Sequence, residues 1–243
     1  MSNIVTDKII PDSGSANTLT IGGTGDSVVV LDSLNVNSLQ DAGGNNIFVS
    51  NGSGTITSKN SGVSGALNLI STQTASGSAS LSFTSGLDST YDVYIFKFID
   101  IDAVTLNAAL QFQGSTDGGS NYNTTMTTTF FMAYHDEADT SAGIAYIPAQ
   151  DQAQGTAYQN IATSFGSDAD QSGAAELHLF APSSTTYVKH FYLTSSLYSK
   201  APEQATYYVA GYFNTTSALD ALSFKMDTGN FSGVIKMYGI SKS

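Results

Sequence analysis

Leu106-Asn107-Ala108-Ala109-Leu110-Gln111-Phe112-Gln113 decides the fold class. Leu106, Ala108, Leu110 and Phe112 fall on every second position, with Asn107, Ala109, Gln111 and Gln113 between them. Side chains alternate faces along a strand, so this is the period of a strand half-buried against a core. The same character recurs on either side. Upstream lie Leu67-Asn68-Leu69-Ile70, Ser80-Leu81-Ser82-Phe83 and the more apolar Val93-Tyr94-Ile95-Phe96-Lys97-Phe98. Downstream, residues 124–134 are rich in β-branched and aromatic side chains, and Leu177 and Leu179 alternate with Glu176 and His178. Further strands are read at 187–196, 205–213, 219–226 and 233–240. Turn clusters separate them: Asp117-Gly118-Gly119-Ser120, Ala181-Pro182-Ser183-Ser184, Asn214-Thr215-Thr216 and Asp227-Thr228-Gly229-Asn230. About ten strands spaced by such turns, with no helical period, predict an all-β sandwich or jelly-roll head over residues 66–243. The longer polar stretches 136–143 and 150–173 are expected to be loops or a short helix over one end.

Residues 1–65 differ. Phe48 is their only aromatic residue. Short apolar runs such as Leu19-Thr20-Ile21 and Ile47-Phe48-Val49 alternate with glycine turns such as Gly22-Gly23-Thr24-Gly25 and Asn51-Gly52-Ser53-Gly54. Each unit carries too few apolar side chains to bury a core by itself, so stability must come from stacking on copies or on other chains. The segment is therefore read as an extended β-repeat stem, trimeric, with its core shared between subunits. A Ser/Gly linker is the alternative; the regular spacing of Leu, Ile and Val counts against it.

Composition narrows the function. The net charge is −12, with eight Lys, no Arg and three Glu. Nucleic-acid binding releases counterions through cationic contacts, so this balance argues against it and against anionic membrane surfaces. Only 12% of residues are charged, about half the usual ~25%, so the surface is built from Ser, Thr, Asn, Gln and Gly. There is no Cys, which excludes disulfides and thiolate metal sites. The Met1-Ser2-Asn3 opening lacks a charged and then apolar leader, and the expected place of synthesis is the cytoplasm.

Three segments carry a resemblance. Ile9-Ile10-Pro11-Asp12-Ser13-Gly14, running on to Thr20-Ile21-Gly22-Gly23-Thr24-Gly25-Asp26-Ser27-Val28, resembles the N-terminal stem of tail-fibre and virion structural proteins of marine bacteriophages. Leu87-Asp88-Ser89-Thr90-Tyr91-Asp92-Val93-Tyr94, with Gly114-Ser115-Thr116-Asp117-Gly118-Gly119-Ser120-Asn121-Tyr122, is similar to the start of their β-sandwich head. Ser232-Gly233-Val234-Ile235-Lys236-Met237-Tyr238-Gly239-Ile240 resembles its last strand. The resemblance implies a homotrimeric virion component, a tail fibre or receptor-binding protein that mediates adsorption to a host glycan or protein. Its stem would dock on other virion proteins. A capsid decoration or cement protein, or a head fibre, is the alternative.

Little chemistry is legible. Serines are numerous beside His135, His178 and His190, but no Gly-x-Ser-x-Gly elbow occurs. A depolymerase needs a long sugar groove with paired carboxylates, and the stem, with Asp26, Asp32 and Asp41, is too short; the chain is expected not to be an enzyme and to need no cofactor. His135, Asp136, Glu137 and Asp139 have the side chains of a metal site, yet neighbours on a strand point to opposite faces, and a solvated acidic loop is the plainer reading. Asp117-Gly118-Gly119 has oxygens for Ca²⁺ but reads more simply as a hairpin turn. Tyr187, Tyr192, Tyr198, Tyr207, Tyr208 and Tyr212 suit sugars or protein interfaces, or else line the core. The receptor-facing region is assigned to loops 135–143 and 150–172, with His135, Asp136, Glu137, Asp139, Gln154, Tyr158, Asp168 and Asp170 as its candidate residues.

Overall fold

The computed structural model describes residues 38–40, 45–53, 56–59 and 66–242. The apolar run read at 19–21 and the stem resemblance over 9–28 lie outside the described residues. The chain divides into two compact units, residues 1–60 and 61–243. In the first, β1 (Ser38–Gln40), β2 (Asn46–Ser50) and β3 (Ile56–Lys59) form an antiparallel sheet in that order, with Leu39 opposite Phe48 and Phe48 opposite Lys59. None of residues 38–40, 45–53 and 56 is buried, and Leu39 and Ile56 are exposed.

The second unit is all-β: its described residues form thirteen strands and one short 3-10 turn at Pro148–Gln150. The strands are β4 (Leu67–Ser78), β5 (Ser80–Phe83), β6 (Val93–Ala103), β7 (Leu110–Ser115), β8 (Met126–Asp136), β9 (Ala142–Tyr146), β10 (Ala153–Gly155), β11 (Gln159–Ala162), β12 (Gly173–Phe180), β13 (Lys189–Tyr198), β14 (Glu203–Phe213), β15 (Ala221–Met226) and β16 (Phe231–Ile240). Nine form one antiparallel sheet ordered β10-β8-β14-β13-β12-β6-β16-β4, with β9 also on the outer edge of β8. Four form the other, ordered β11-β7-β15-β5.

The inner faces meet through phenylalanine. Phe224 of β15 touches Phe96 and Phe98 of β6, with ring centroids 5.4 and 5.0 Å apart, and Phe83 of β5 packs edge-on to Phe96 at 5.4 Å. A second cluster joins Phe112 of β7 to Phe191 of β13 and Phe213 of β14, at 5.1 and 6.1 Å. Edge-to-face contact suits the ring quadrupole, and buried rings dominate core energetics. The alternation that defines a half-buried strand is plain in β13. Phe191, Leu193 and Leu197 point inward, whereas His190, Tyr192 and Thr194 point to solvent.

Two sequence expectations need correcting. The strand read from Leu106 begins only at Leu110. Asn107 takes φ +68 and accepts a 2.7 Å hydrogen bond from the Lys200 ammonium, and Leu106 lies exposed in the turn; Asn tolerates the left-handed region where most residues do not. The stretch 136–143 is a loop as expected, the turn of a β8–β9 hairpin. The stretch 150–173 holds β10 and β11, with Ile161, Ala162 and Phe165 buried. Gln113 and Gln159 fasten that stretch. Gln113 Nε2 donates to the carbonyls of Thr156 and Ala157 at 3.1 and 2.9 Å, and Gln159 Oε1 accepts from the Thr128 hydroxyl at 2.7 Å. Buried amides satisfied in this way hold polar chain against the sheets.

Candidate functional site

Six of the eight nominated residues gather at one end of the sandwich. β14 lies between β8 and β13, with Gln204 opposite both His135 and Tyr198. His135, Asp136, Glu137, Ser196, Tyr198 and Gln204 line a cleft of about 410 Å³ there. The Asp136 carboxylate is held below its usual range, first by the Thr140 hydroxyl and then by the backbone N–H groups of Ser141 and Thr140. It thus closes the hairpin turn. His135 pairs with Asp139 at 3.2 Å, both well exposed. The Tyr198 hydroxyl is pushed up, first by the negative charge of Glu137, then by burial, then by Asp170, with Asp168 a smaller contributor. Among the described residues no three His, Asp or Glu side chains are grouped to hold a metal ion.

Gln154 and Tyr158 are not part of this cleft. Gln154 Nε2 donates to Thr127 Oγ1 at 2.6 Å, and its Oε1 accepts from Asn214. Thr127 and His135 stand eight positions apart on β8, roughly 27 Å at strand rise. The Tyr158 ring lies 4.4 Å beneath the Lys225 ammonium. At the other candidate turn, Asp117 Oδ1 accepts from Ser115 Oγ and Asn121 N, and Oδ2 from Asn121 Nδ2, at 2.7, 2.9 and 2.7 Å. Those bonds, the one from Ser115 first, lower its pKa to about 2. Its oxygens shape a turn.

The tyrosines divide by face. Tyr207 is buried and donates to the Thr163 carbonyl at 2.8 Å. Tyr192 and Tyr208 stand on the open outer face of the nine-stranded sheet. Neighbouring rings there hold one another. His178 stacks on Tyr192 at 4.7 Å and 14°, Phe180 leans on Tyr192 at 5.6 Å, and Phe131 stacks on Tyr208 at 4.9 Å and 13°. His178 is further fixed by Glu176 at 2.6 Å, and Glu176 by Lys97 at 2.7 Å.

Between these rings is a hollow of about 400 Å³, floored by Ala210 and Gly211 and walled by Thr127, Thr129, His190, Tyr192 and Tyr212. A second hollow, of about 570 Å³, lies among Phe180, Thr186, Tyr187, His190 and Thr216. The two share His190. A Cβ on Gly211 would lie 2.4 Å from the Thr127 carbonyl oxygen and 2.8 Å from Thr128 Cγ2, so glycine here lets β14 pair closely with β8 beneath the hollow.

No family model, curated protein or solved structure matches this chain.

The second hollow has an unusual support. Lys189 is wholly buried, and its ammonium donates to the carbonyls of Tyr187 and Thr215 at 3.1 and 3.0 Å. Burial pushes its pKa down. One cation therefore ties together the two loops that carry Tyr187 and Thr216. The groove is not visible as a unit in the sequence. The available signal was the alternation of ring and small residue, Tyr208-Val209-Ala210-Gly211-Tyr212, which leaves a gap between two tyrosines on one face.

Proposed function

We propose that this chain is a non-enzymatic structural component of a bacteriophage particle, a homotrimeric tail fibre or receptor-binding protein that mediates adsorption to the host. Residues 1–65 act as a stem docking on other virion proteins, and residues 66–243 form a jelly-roll-like head that meets the host surface. The observation that carries this reading is the first unit. Among the described residues of that three-stranded sheet none of 38–40, 45–53 and 56 is buried in the single chain, and a small sheet needs a packed apolar face to be stable in water. Identical segments of two further copies supply that packing in a trimeric stem. The head adds support, since Phe131, Tyr208 and Tyr192 remain exposed on the neighbouring strands β8, β14 and β13, and clustered apolar surface marks interaction sites.

The test has two parts. Sedimentation of the intact protein is expected to give three copies, and a monomer removes the shared-core stem. Antibody-labelled electron microscopy of the source virions is expected to place label on the tail or its fibres. Label over the head would replace the adsorption role with capsid decoration, and no labelled particle would remove the virion assignment.

A further inference from the structure

We infer that the two hollows sharing His190 form one continuous groove for an uncharged saccharide chain, lying on the outer face of the nine-stranded sheet and not on the acidic loops. This inference rests on the adsorption reading above and names the ligand class and its place.

The chemistry of the groove selects the occupant. A pyranose ring carries C–H groups on its faces and hydroxyls around its rim. It therefore needs aromatic surface with hydroxyl and imidazole groups close by, and Tyr combines an apolar ring with a polar tip. The groove supplies Tyr187, Tyr192, Tyr212, Phe180 and His190, with Thr127, Thr129 and Thr216 among them. Neither hollow is lined by an Asp, Glu or Lys side chain. In a chain of net charge −12, a groove whose supporting Lys189 ammonium is buried and bound to two carbonyls, and whose lining offers no Lys side chain, disfavours polyanions and leaves neutral polymers unaffected. The cleft around Glu137, Asp136 and Tyr198 has the opposite character, being acidic and occupied with its own turn.

The size fits as well. Small-ligand sites run from about 300 to 1,000 Å³, and the hollows measure about 400 and 570 Å³. Two abutting hollows of that size suit consecutive sugar units better than a single compact ligand. The walls are also preformed. His178, Phe180 and Tyr192 pack on one another, His190 sits edge-on to Tyr212 at 5.9 Å, and Lys189 fixes the Tyr187 and Thr215 loops. Rings already held in place lose little freedom when a ligand arrives.

The experiment is affinity electrophoresis of the full chain through gels containing one polysaccharide each. Dextran, mannan, galactan and xylan serve as neutral probes, and alginate and hyaluronate as acidic ones. Retardation is expected with at least one neutral probe and with neither acidic probe. Tyr192→Ala and Tyr212→Ala are each expected to weaken it at least tenfold, while Glu137→Gln leaves it unchanged. Tyr192→Phe, which keeps the ring and removes only the hydroxyl, is expected to weaken it less than Tyr192→Ala. The thermal midpoint of each variant confirms that the head is folded.

Retardation by no neutral probe, stronger retardation by the acidic ones, or indifference to both tyrosine substitutions overturns the groove. So does a change of oligomeric state in Tyr192→Ala, which makes this face a subunit contact. Virion labelling keeps the two readings apart. Labelled tails without saccharide binding sink the groove alone, whereas saccharide binding without labelled particles sinks the virion role alone.

Discussion

At the scale of the residue, single side chains join the two sheets. Phe224 touches Phe83, Phe96 and Phe98, and Phe224→Ala is expected to cost roughly 3–5 kcal/mol of stability, read from denaturant unfolding. Lys189 poses a different problem, because its removal leaves two carbonyls without their donor. Lys189→Met should lower stability by about 1–3 kcal/mol and raise hydrogen exchange in the loops at 187 and 215, which an ordinary core substitution would not single out. Asp117 acts through pH. Its folded pKa lies at about 2, below the usual 3.8, so its contribution is complete above pH 3.8 and is lost as pH falls toward 2. Thermal midpoints measured from pH 5 to pH 2 should fall more steeply for the native chain than for Asp117→Asn across that window.

Elements show what the sequence made legible. The strands at 189–198 and 203–213 were readable because one face of each is buried, which prints a period of two into the sequence, and 221–226 because nearly all of it is buried between turn signals; their ends differ from the reading by a few residues. β9, β10 and β11 were not readable. They are only three to five residues long; β9 is the return arm of a hairpin with β8, and β10 and β11 are strands through pairing with β8 and β7, which a local pattern does not show. The candidate site was legible as residue types only. Tyr207 and Tyr208 are adjacent, yet one is core and the other surface, and only strand pairing says which rings meet. Two outcomes follow. Deleting 150–172 removes β10, β11 and the buried Ile161, Ala162 and Phe165, so the head should fail to fold, as read by circular dichroism. Gly211→Ala should push β8 from β14 at Thr127 and cost about 1–3 kcal/mol, with faster exchange at residues 126–129.

Over the whole head, the chain passes back and forth between the sheets, and the strands at its two extremes come together. β16 lies between β4 and β6, pairing Ile240 with both Leu67 and Val93. A chain cut after residue 230 leaves β4 without a partner in the sheet and opens the Phe98 side of the core, so it should be recovered only as aggregate. The same placement sets a timetable for biosynthesis. At about 5–20 residues per second, roughly 8–35 s separate the emergence of β4 from that of β16, and until β16 arrives β4 and, once made, β6 expose bare hydrogen-bonding edges. The ribosome-bound head must therefore wait, shielded by chaperones or by slow collapse, and closes only when its final strand arrives as a zipper.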